Sequence, residues 1–242
     1  MRLSYESWLV VAIVLLYFQD SALALRANEA VLVREGGGRW APRFGTRQWT
    51  LLGREIHIPN PFTPDRPLFR LAWTFEEPPA NAVALRRVAS CPELVWLGRF
   101  AWVAWACLFV MVPIGLFSRL GYRVTFAAAA MLYLNNVAAL VMVYRWRSRL
   151  GVGAKPLRSL AFDCLACAPY SINLVRRVCA AMNVQEDFTE AAGRLLDADT
   201  LSFVHAECLK RVDEQIEAAA EDGPWIKTLQ SSRERFVPKG GL

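Results

Sequence analysis

Two long apolar runs in the middle of the chain dominate its hydrophobic pattern. They extend from Phe100 to Phe117 and from Tyr122 to Tyr144, and only four residues separate them. A helix needs about 20 mostly apolar residues to cross the hydrocarbon layer of a bilayer, because no water is present there to satisfy backbone amides. Both runs are close to this length. Because the link between them is so short, residues 93–149 are predicted to form an antiparallel transmembrane hairpin.

A shorter apolar run, Trp8 to Phe18, precedes the hairpin. It is followed by Ala22-Leu23-Ala24, which has the small-x-small form of a signal-peptide cleavage site, so a cleaved secretory signal is one interpretation. The other interpretation is a retained transmembrane anchor over residues 1–25. The distribution of arginines distinguishes the two, since Lys and Arg in short flanking loops stay on the cytoplasmic side of a membrane.

Basic residues are concentrated at the open ends of the predicted hairpin. The residues that follow it include Arg145, Arg147, Arg149, Lys155 and Arg158, whereas Arg119 and Arg123 lie at the link. The segment before it contains Arg26, Arg34, Arg39, Arg43, Arg86 and Arg87. Both ends of the hairpin are therefore predicted to be cytoplasmic, which favours the retained anchor. The expected fold class is a mainly α, multi-pass inner (plasma) membrane protein with three transmembrane helices, its N-terminus outside and its C-terminus in the cytoplasm.

Residues 26–92 change from long apolar runs to short ones broken by turn residues. Four stretches fit short strands, and Gly36-Gly37-Gly38 fits a hairpin turn between the first two; the stretches are Ala30–Val33, Trp40–Phe44, Trp49–Leu52 and Ile56–Ile58. They predict a small antiparallel β segment in the cytoplasm. A proline-rich connector, residues 59–67, follows it, and the aromatic residues Phe69, Trp73 and Phe75 are expected to lie along the membrane interface.

Apolar residues recur at helical spacing through residues 150–222, which are predicted to form a helical, amphipathic and acidic cytoplasmic module. Seven basic residues and one acidic residue lie in 145–183, whereas eleven acidic and three basic residues lie in 184–222. The basic part is expected to lie near anionic lipid headgroups, and the acidic part is expected to form a solvated surface that a partner can bind. Residues 223–242 are predicted to be a flexible tail.

The net charge of +6 adds little evidence for nucleic-acid binding. Basic residues alternate with aromatic ones, as in Arg39-Trp40 and Arg43-Phe44, but a tethered sheet with a modest charge excess meets few other criteria for such a surface. The predicted partners are the lipid bilayer and either another protein or a second copy of the chain, and not nucleic acid.

Two pairs of residues carry the most specific chemical pattern in the chain. Cys164-x-x-Cys167 and His205-x-x-Cys208 each place two soft ligands three residues apart, a spacing at which both reach one tetrahedral zinc ion. The same residues suit a thiol-active site. The three cysteines also fall on apolar helical stripes, where a free cysteine packs as a small hydrophobic residue. Packing is the preferred interpretation, zinc binding by these four residues is the alternative, and no other cofactor is expected.

Polar residues inside the apolar helices are further candidates for function. Asp20, near the end of the first helix, is expected to pair with Arg99 or to reach headgroup water. Asn135 and Asn136 lie midway along the third helix and are expected to donate hydrogen bonds to neighbouring helices. A transport pathway would need further polar residues on the facing helices.

The sequence contains no Ser/His/Asp arrangement, glycine-rich phosphate loop or paired-carboxylate motif, and its two histidines, His57 and His205, leave few general bases. These observations weigh against an enzyme. The favoured function is a non-catalytic anchoring or interaction subunit of a membrane-associated assembly. The alternatives are a zinc-binding or thiol-active membrane protein and a small transporter component.

Overall fold

The computed structural model describes residues 4–73, 85, 91–119, 121–182, 184, 186–218, 229–230 and 233. The chain is mostly helical, with six short strands among these residues. Its contacts divide it into two compact units, each assembled from separated segments. Unit 1 contains residues 1–23, 58–69 and 88–183, and unit 2 contains residues 24–57, 70–87 and 184–242. The predicted boundaries follow chain order, whereas these units combine segments that are distant in sequence.

Unit 1 is built from five helices among the described residues. They are α1 (Tyr5–Ser21), α2 (Pro92–Phe117), α3 (Tyr122–Leu150), α4 (Ala154–Ala166) and α5 (Leu174–Ala181), with a 3-10 segment, Ala168–Asn173, between the last two. Helices α2 and α3 are long and apolar enough to cross a membrane, with mean hydropathies of 2.2 and 1.8 in their most apolar windows. The prediction of two long apolar helices in this region is therefore confirmed.

Helix α2 widens into a π-helical turn at Cys107–Met111. The cause lies just beyond it, at Pro113. A proline has no backbone N–H, and its ring collides with the carbonyl four residues earlier, here that of Phe109. The wider turn moves this carbonyl away from the ring without ending the helix.

Helix α1 ends four residues earlier than predicted. Ser4 caps its start, its last residue is Ser21, and Ala22 is extended with φ −67° and ψ 125°. The prediction of a helix to Leu25 is wrong because Leu23–Leu25 instead forms strand β1, which pairs with a strand more than 25 residues further along the chain. The 17 residues of α1 give a rod of about 25 Å at 1.5 Å per residue.

The core of unit 1 joins α1 to both hairpin helices. Its buried members come from α1, α2, α3 and the 3-10 segment: Ile13, Tyr17, Ala104, Cys107, Leu108, Val112, Ala128, Leu132 and Ile172. At the linked end of the hairpin, a Cβ on Gly115 would lie 2.7 Å from the backbone nitrogen of Thr125, so only glycine permits this approach. Glu6 of α1 lines the same region. Helix α1 therefore runs parallel to α3 and antiparallel to α2.

The described residues of unit 2 include two small sheets and two helices. In chain order its elements are β1 (Leu23–Leu25), β2 (Glu29–Arg34), β3 (Trp40–Arg43), β4 (Thr46–Leu51), β5 (Arg54–His57), β6 (Leu68–Ala72), α6 (Phe188–Leu195) and α7 (Ala198–Ala218). Strands β1 and β6 begin in residues of unit 1. The strand orders are β1-β5-β4 and β3-β2-β6. The β2–β3 and β4–β5 pairs are antiparallel, which confirms the predicted small antiparallel β segment.

The expectation that aromatic residues after the connector lie on a membrane interface is wrong for two of them. Phe69 belongs to β6 and is buried, and Trp73 is buried against Phe44 and Phe188. For Trp73 the reason is a long-range aromatic core, since Phe188 belongs to α6. Phe75 lies outside the described residues, as does most of the predicted tail 223–242.

Both the strands and the helices contribute buried residues to the core of unit 2. Val204, Cys208 and Val212 form a fully buried stripe along α7, as the helical spacing predicts. Both helices are capped by aspartates, with Asp187 accepting from Thr189 N at 2.8 Å and Asp197 accepting from Thr200 N at 2.8 Å.

Candidate functional site

The end of α1 and the start of α5 meet in a polar cluster inside unit 1. We define this polar cluster as Tyr17, Asp20, Ser21, Asp163, Asn173, Arg176 and Arg177. Helix α1 places Asp20 in its last turn, and the 3-10 segment ends at Asn173, three residues before Arg176 in the first turns of α5. Ser21, Asn173 and Arg176 are buried. The cluster is the most extensive buried polar network in unit 1 among the described residues.

Arg177 binds two carboxylates at once. Its Nη2 and Nε donate to Asp20, and its Nη1 donates to Asp163 at 2.7 Å. The Asp20 side chain is 8% exposed and that of Asp163 is 33% exposed. The guanidinium also lies 4.6 Å from the centre of the Tyr170 ring. Burial acts to lower the pKa of Arg177, but the hydrogen bonds to the two carboxylates outweigh it and raise that pKa overall.

Arg176 is satisfied by neutral oxygen atoms. Its Nη1 donates to Asn173 Oδ1 at 2.8 Å and to Tyr17 Oη at 3.2 Å. Its Nη2 donates to the carbonyls of Asn60 at 2.8 Å and Thr63 at 3.1 Å. This side chain therefore ties the proline-rich connector to both α1 and α5.

The chemistry of the polar cluster suits a structural contact that holds neighbouring elements together. Its two arginines and two aspartates give no net charge. Both guanidinium groups donate hydrogen bonds to protein oxygen atoms. A buried ion pair of this kind needs such full pairing to offset its desolvation. General acid–base or nucleophilic chemistry instead needs a titratable group held next to substrate. The geometry suits joining elements rather than turning over a substrate.

A groove of about 370 Å³ lies at the other end of α1. Its walls include Glu6, Gly115, Leu116, Tyr122, Thr125 and Phe126. The lining is mostly apolar, with Glu6 as its acidic group. The groove is thus separated from the polar cluster by almost the whole length of α1.

The structure places the four predicted metal ligands in two different units. Cys164 and Cys167 lie at the end of α4 in unit 1, and His205 and Cys208 lie on α7 in unit 2. Within the described part of the chain, no group of three or more His, Cys, Asp or Glu side chains is placed to hold a metal ion. Zinc binding by the four residues stays a prediction.

The cysteines themselves behave as packing residues. Cys164 and Cys208 are buried, and burial raises the pKa of each thiol to about 12. Burial also raises the pKa of the half-buried Cys167. A protonated thiol is a poor nucleophile, so these positions favour packing over thiol chemistry near neutral pH.

The expected pair between Asp20 and Arg99 is wrong. Asp20 binds Arg177, and the Arg99 guanidinium lies 3.9 Å from the centre of the Trp96 ring on its own helix. The adjacent pair Arg176-Arg177 was not predicted as a partner of Asp20, because it contributes only two of the seven basic charges in residues 145–183. The signal in the sequence is their position shortly after Asn173, in a segment with apolar residues on both sides.

Asn135 and Asn136 each bind a different helix. Asn135 Nδ2 donates to the Phe100 carbonyl of α2 at 3.1 Å, and Asn136 Nδ2 donates to the Cys164 carbonyl of α4 at 3.0 Å. The second bond satisfies a carbonyl in the last turn of α4, which has no partner within the helix. Both amides thus make the predicted interhelical hydrogen bonds.

Comparison with known proteins adds no relative: no family model, no curated protein and no solved structure matches the chain.

Proposed function

We propose that the chain is a multi-pass membrane protein that acts as a non-catalytic anchoring or interaction subunit of a membrane-associated assembly. The observation that carries this proposal is the exposed apolar surface of α2 and α3, whose most apolar windows are only 33% and 28% buried. Large aromatic side chains are exposed along them, including Trp96, Trp102, Phe117, Tyr122, Phe126 and Tyr133. An apolar surface of this extent is covered by lipid or by a partner in a stable protein.

The packing of unit 1 supports three spans. Helix α1 shares a core with the hairpin and begins at its linked end. Its other end is held by α5, which packs against α2. Arg149 binds Glu93 at 3.2 Å, so the end of α3 lies beside the start of α2. The three helix ends that carry the basic flanks therefore share one side, and their excess of arginine supports the proposal that this side faces the cytoplasm at the inner (plasma) membrane.

The polar cluster supports a structural role over a catalytic one. Its charges are matched, and its hydrogen bonds connect α1, α4, α5 and the connector. The acidic helices of unit 2 supply the surface for a soluble or membrane-bound partner, or for a second copy of the chain.

Protease protection tests the membrane part of the proposal. One epitope tag is placed after Leu242 and a second is inserted in the link between α2 and α3. In intact cells or spheroplasts, external protease should remove the tag in the link and spare the terminal tag until the membrane is permeabilised. Cleavage of the terminal tag in sealed cells would overturn the orientation, and release of the protein by alkaline washing would overturn membrane integration.

Purification in mild detergent tests the anchoring role. The full chain should elute with a stoichiometric partner or as a defined homo-oligomer. Reversing exposed carboxylates with Glu190→Lys and Glu217→Lys should weaken that association, whereas Ser202→Lys, a charge change that removes no carboxylate, should leave it intact. A clean monomer with no stoichiometric partner after chemical crosslinking in the membrane would refute the role.

A further inference from the structure

The β4–β5 hairpin of unit 2 ends in an exposed apolar turn. Trp49 is 63% exposed, Leu51 is 60% exposed and Leu52 is 95% exposed. We call these three residues the hairpin tip. Strand β4 lies at the edge of its sheet, and only Arg47 along it is half-buried. The tip therefore projects its apolar side chains on a narrow, convex surface.

The backbone of the turn makes the leucine more unusual. Leu51 lies opposite Arg54 in register, so Leu52 and Gly53 form a two-residue turn, with φ of 52° and 73°. Turns of this kind favour Asn, Asp or Gly at the first position, because the Cβ of other residues is crowded when φ is positive. Leu52 thus carries two costs, a positive φ at a residue with a branched side chain and the exposure of that apolar side chain to water. An apolar environment for the side chain would remove the second cost.

The base of the hairpin is held firmly. Arg211 of α7 is buried, donates to Glu55 at 2.8 Å and to the Gly45 carbonyl at 3.3 Å, and lies over the Phe44 ring. Arg47 binds Glu207 at 2.9 Å and Glu214 at 2.5 Å. These pairs neutralise Arg47 and Glu55, so the exposed Arg54 is the charge that the end of the hairpin presents.

We propose that the hairpin tip inserts into the interfacial layer of the bilayer, with Arg54 beside lipid phosphates. This inference rests on the proposed membrane function, because the chain must already be at the membrane. Tryptophan and leucine beside an exposed arginine match the chemistry of an anionic lipid surface. A convex tip of three side chains is too small for a specific protein interface, which buries about 1,200 Å² or more.

Tethering makes so small a contact sufficient. Transmembrane helices in the same chain hold unit 2 near the bilayer, so insertion is an intramolecular event with a high effective concentration. The tip need not capture the protein from solution. It needs only to select orientations of unit 2 in which the tip meets lipid.

The test places an environment-sensitive fluorescent amino acid at single positions of the full chain in nanodiscs with about one-third anionic phosphatidylglycerol. The positions are Leu51 at the tip, Leu134 in the middle of α3 as the lipid reference, and Ser202 on α7 as the aqueous reference. Lipid-attached nitroxides should quench position 51 at least threefold more than position 202. Quenching at position 134 with none at position 51 would overturn insertion of the hairpin tip and leave the proposed membrane function standing. Absence of quenching at 134 would overturn both.

A second variant separates insertion from folding. Leu52→Asn suits the positive φ of the turn, so it should raise the melting temperature of the protein in detergent while lowering quenching at position 51 to the level at 202. Arg54→Glu should reduce quenching at 51 in anionic nanodiscs more than in zwitterionic ones. Unchanged quenching in Leu52→Asn would refute insertion through this side chain.

Discussion

The polar cluster gives a matched pair of substitutions, because two aspartates bind the same guanidinium from different environments. Asp20→Asn and Asp163→Asn each remove one negative charge and keep the shape of the side chain. Asp20 is almost fully buried and also accepts from Asn173 Nδ2 at 2.8 Å. Asp163 is one-third exposed and binds Arg177 alone among the described residues. The two substitutions make the same chemical change at sites that differ in burial and in the number of hydrogen bonds that the carboxylate accepts.

The expected magnitudes follow from that difference. Removing one partner of a buried ion pair costs about 3–5 kcal/mol, because a charge is left unpaired away from water. Arg177 keeps Asp163 in the Asp20→Asn variant, so we expect a loss of about 2–3 kcal/mol in the free energy of unfolding. Asp163 is partly exposed, so water can replace much of its interaction with Arg177. Asp163→Asn should therefore lower the free energy of unfolding by about 1 kcal/mol or less.

The assay is reversible unfolding of the full chain in mixed micelles, followed by the helical circular dichroism signal at increasing fractions of denaturing detergent. Parallel measurements of the two single variants and the double variant give the coupling between the aspartates. A coupling energy near zero would contradict a shared guanidinium. A cost for Asp163→Asn equal to or larger than that for Asp20→Asn would refute the argument from burial.

Three further predictions address the hairpin, the thiols and the metal. Gly115→Ala should lower the free energy of unfolding by about 1–3 kcal/mol, because the new Cβ would collide with Thr125. The control is Gly193→Ala on α6, where a Cβ would meet open space, and it should raise the free energy of unfolding by about 0.5–1 kcal/mol. Equal effects of the two substitutions would contradict the close approach of Gly115 to Thr125. Maleimide should label Cys167 in the folded protein but Cys164 and Cys208 only after denaturation. Because the pKa of those two thiols rises from about 9 to about 12 on folding, stability should be independent of their ionisation below pH 9 and should fall between pH 9 and 12. If the cysteines only pack, protein purified without chelators should contain less than about 0.1 zinc ion per chain. One zinc ion per chain in the parent protein, and none in Cys208→Ser, would establish the predicted site.

The features that sequence predicted correctly depend on local properties. The length and apolarity of α2 and α3 are readable within each run, and the strands β2 to β5 follow from short apolar stretches and turn glycines. The stripe that contains Val204, Cys208 and Val212 follows from helical spacing alone. In these cases the residues that decide the structure are neighbours along the chain.

The features that were missed depend on partners far away in sequence. Helix α1 stops before Leu23 because that residue begins a strand that pairs with β5. Trp73 is buried by Phe188, which lies more than 100 residues later. Asp20 and Arg177 are separated by 157 positions. Pattern and charge show that such residues need partners, but they do not identify which ones meet.

The abundance of arginine also has a structural consequence at selected positions. The chain contains 24 Arg and 4 Lys, a bias that by itself indicates nothing about function. Arg176, however, donates to four oxygen atoms spread over a connector and two helices. A lysine keeps the charge but has three donors on one nitrogen atom, and it cannot reach both sides of this planar arrangement.

Arg176→Lys should therefore destabilise unit 1 by about 2–3 kcal/mol although the charge is unchanged, since at least one buried acceptor group loses its partner. Arg158→Lys, on the exposed surface of α4, is the matched control and should change the free energy of unfolding by less than about 0.5 kcal/mol. The readout is detergent-induced unfolding, together with protease sensitivity of the connector 59–67, which Arg176 holds through two backbone carbonyls. If both lysine variants behave like the parent protein, the guanidinium geometry is not what holds the connector to α1 and α5.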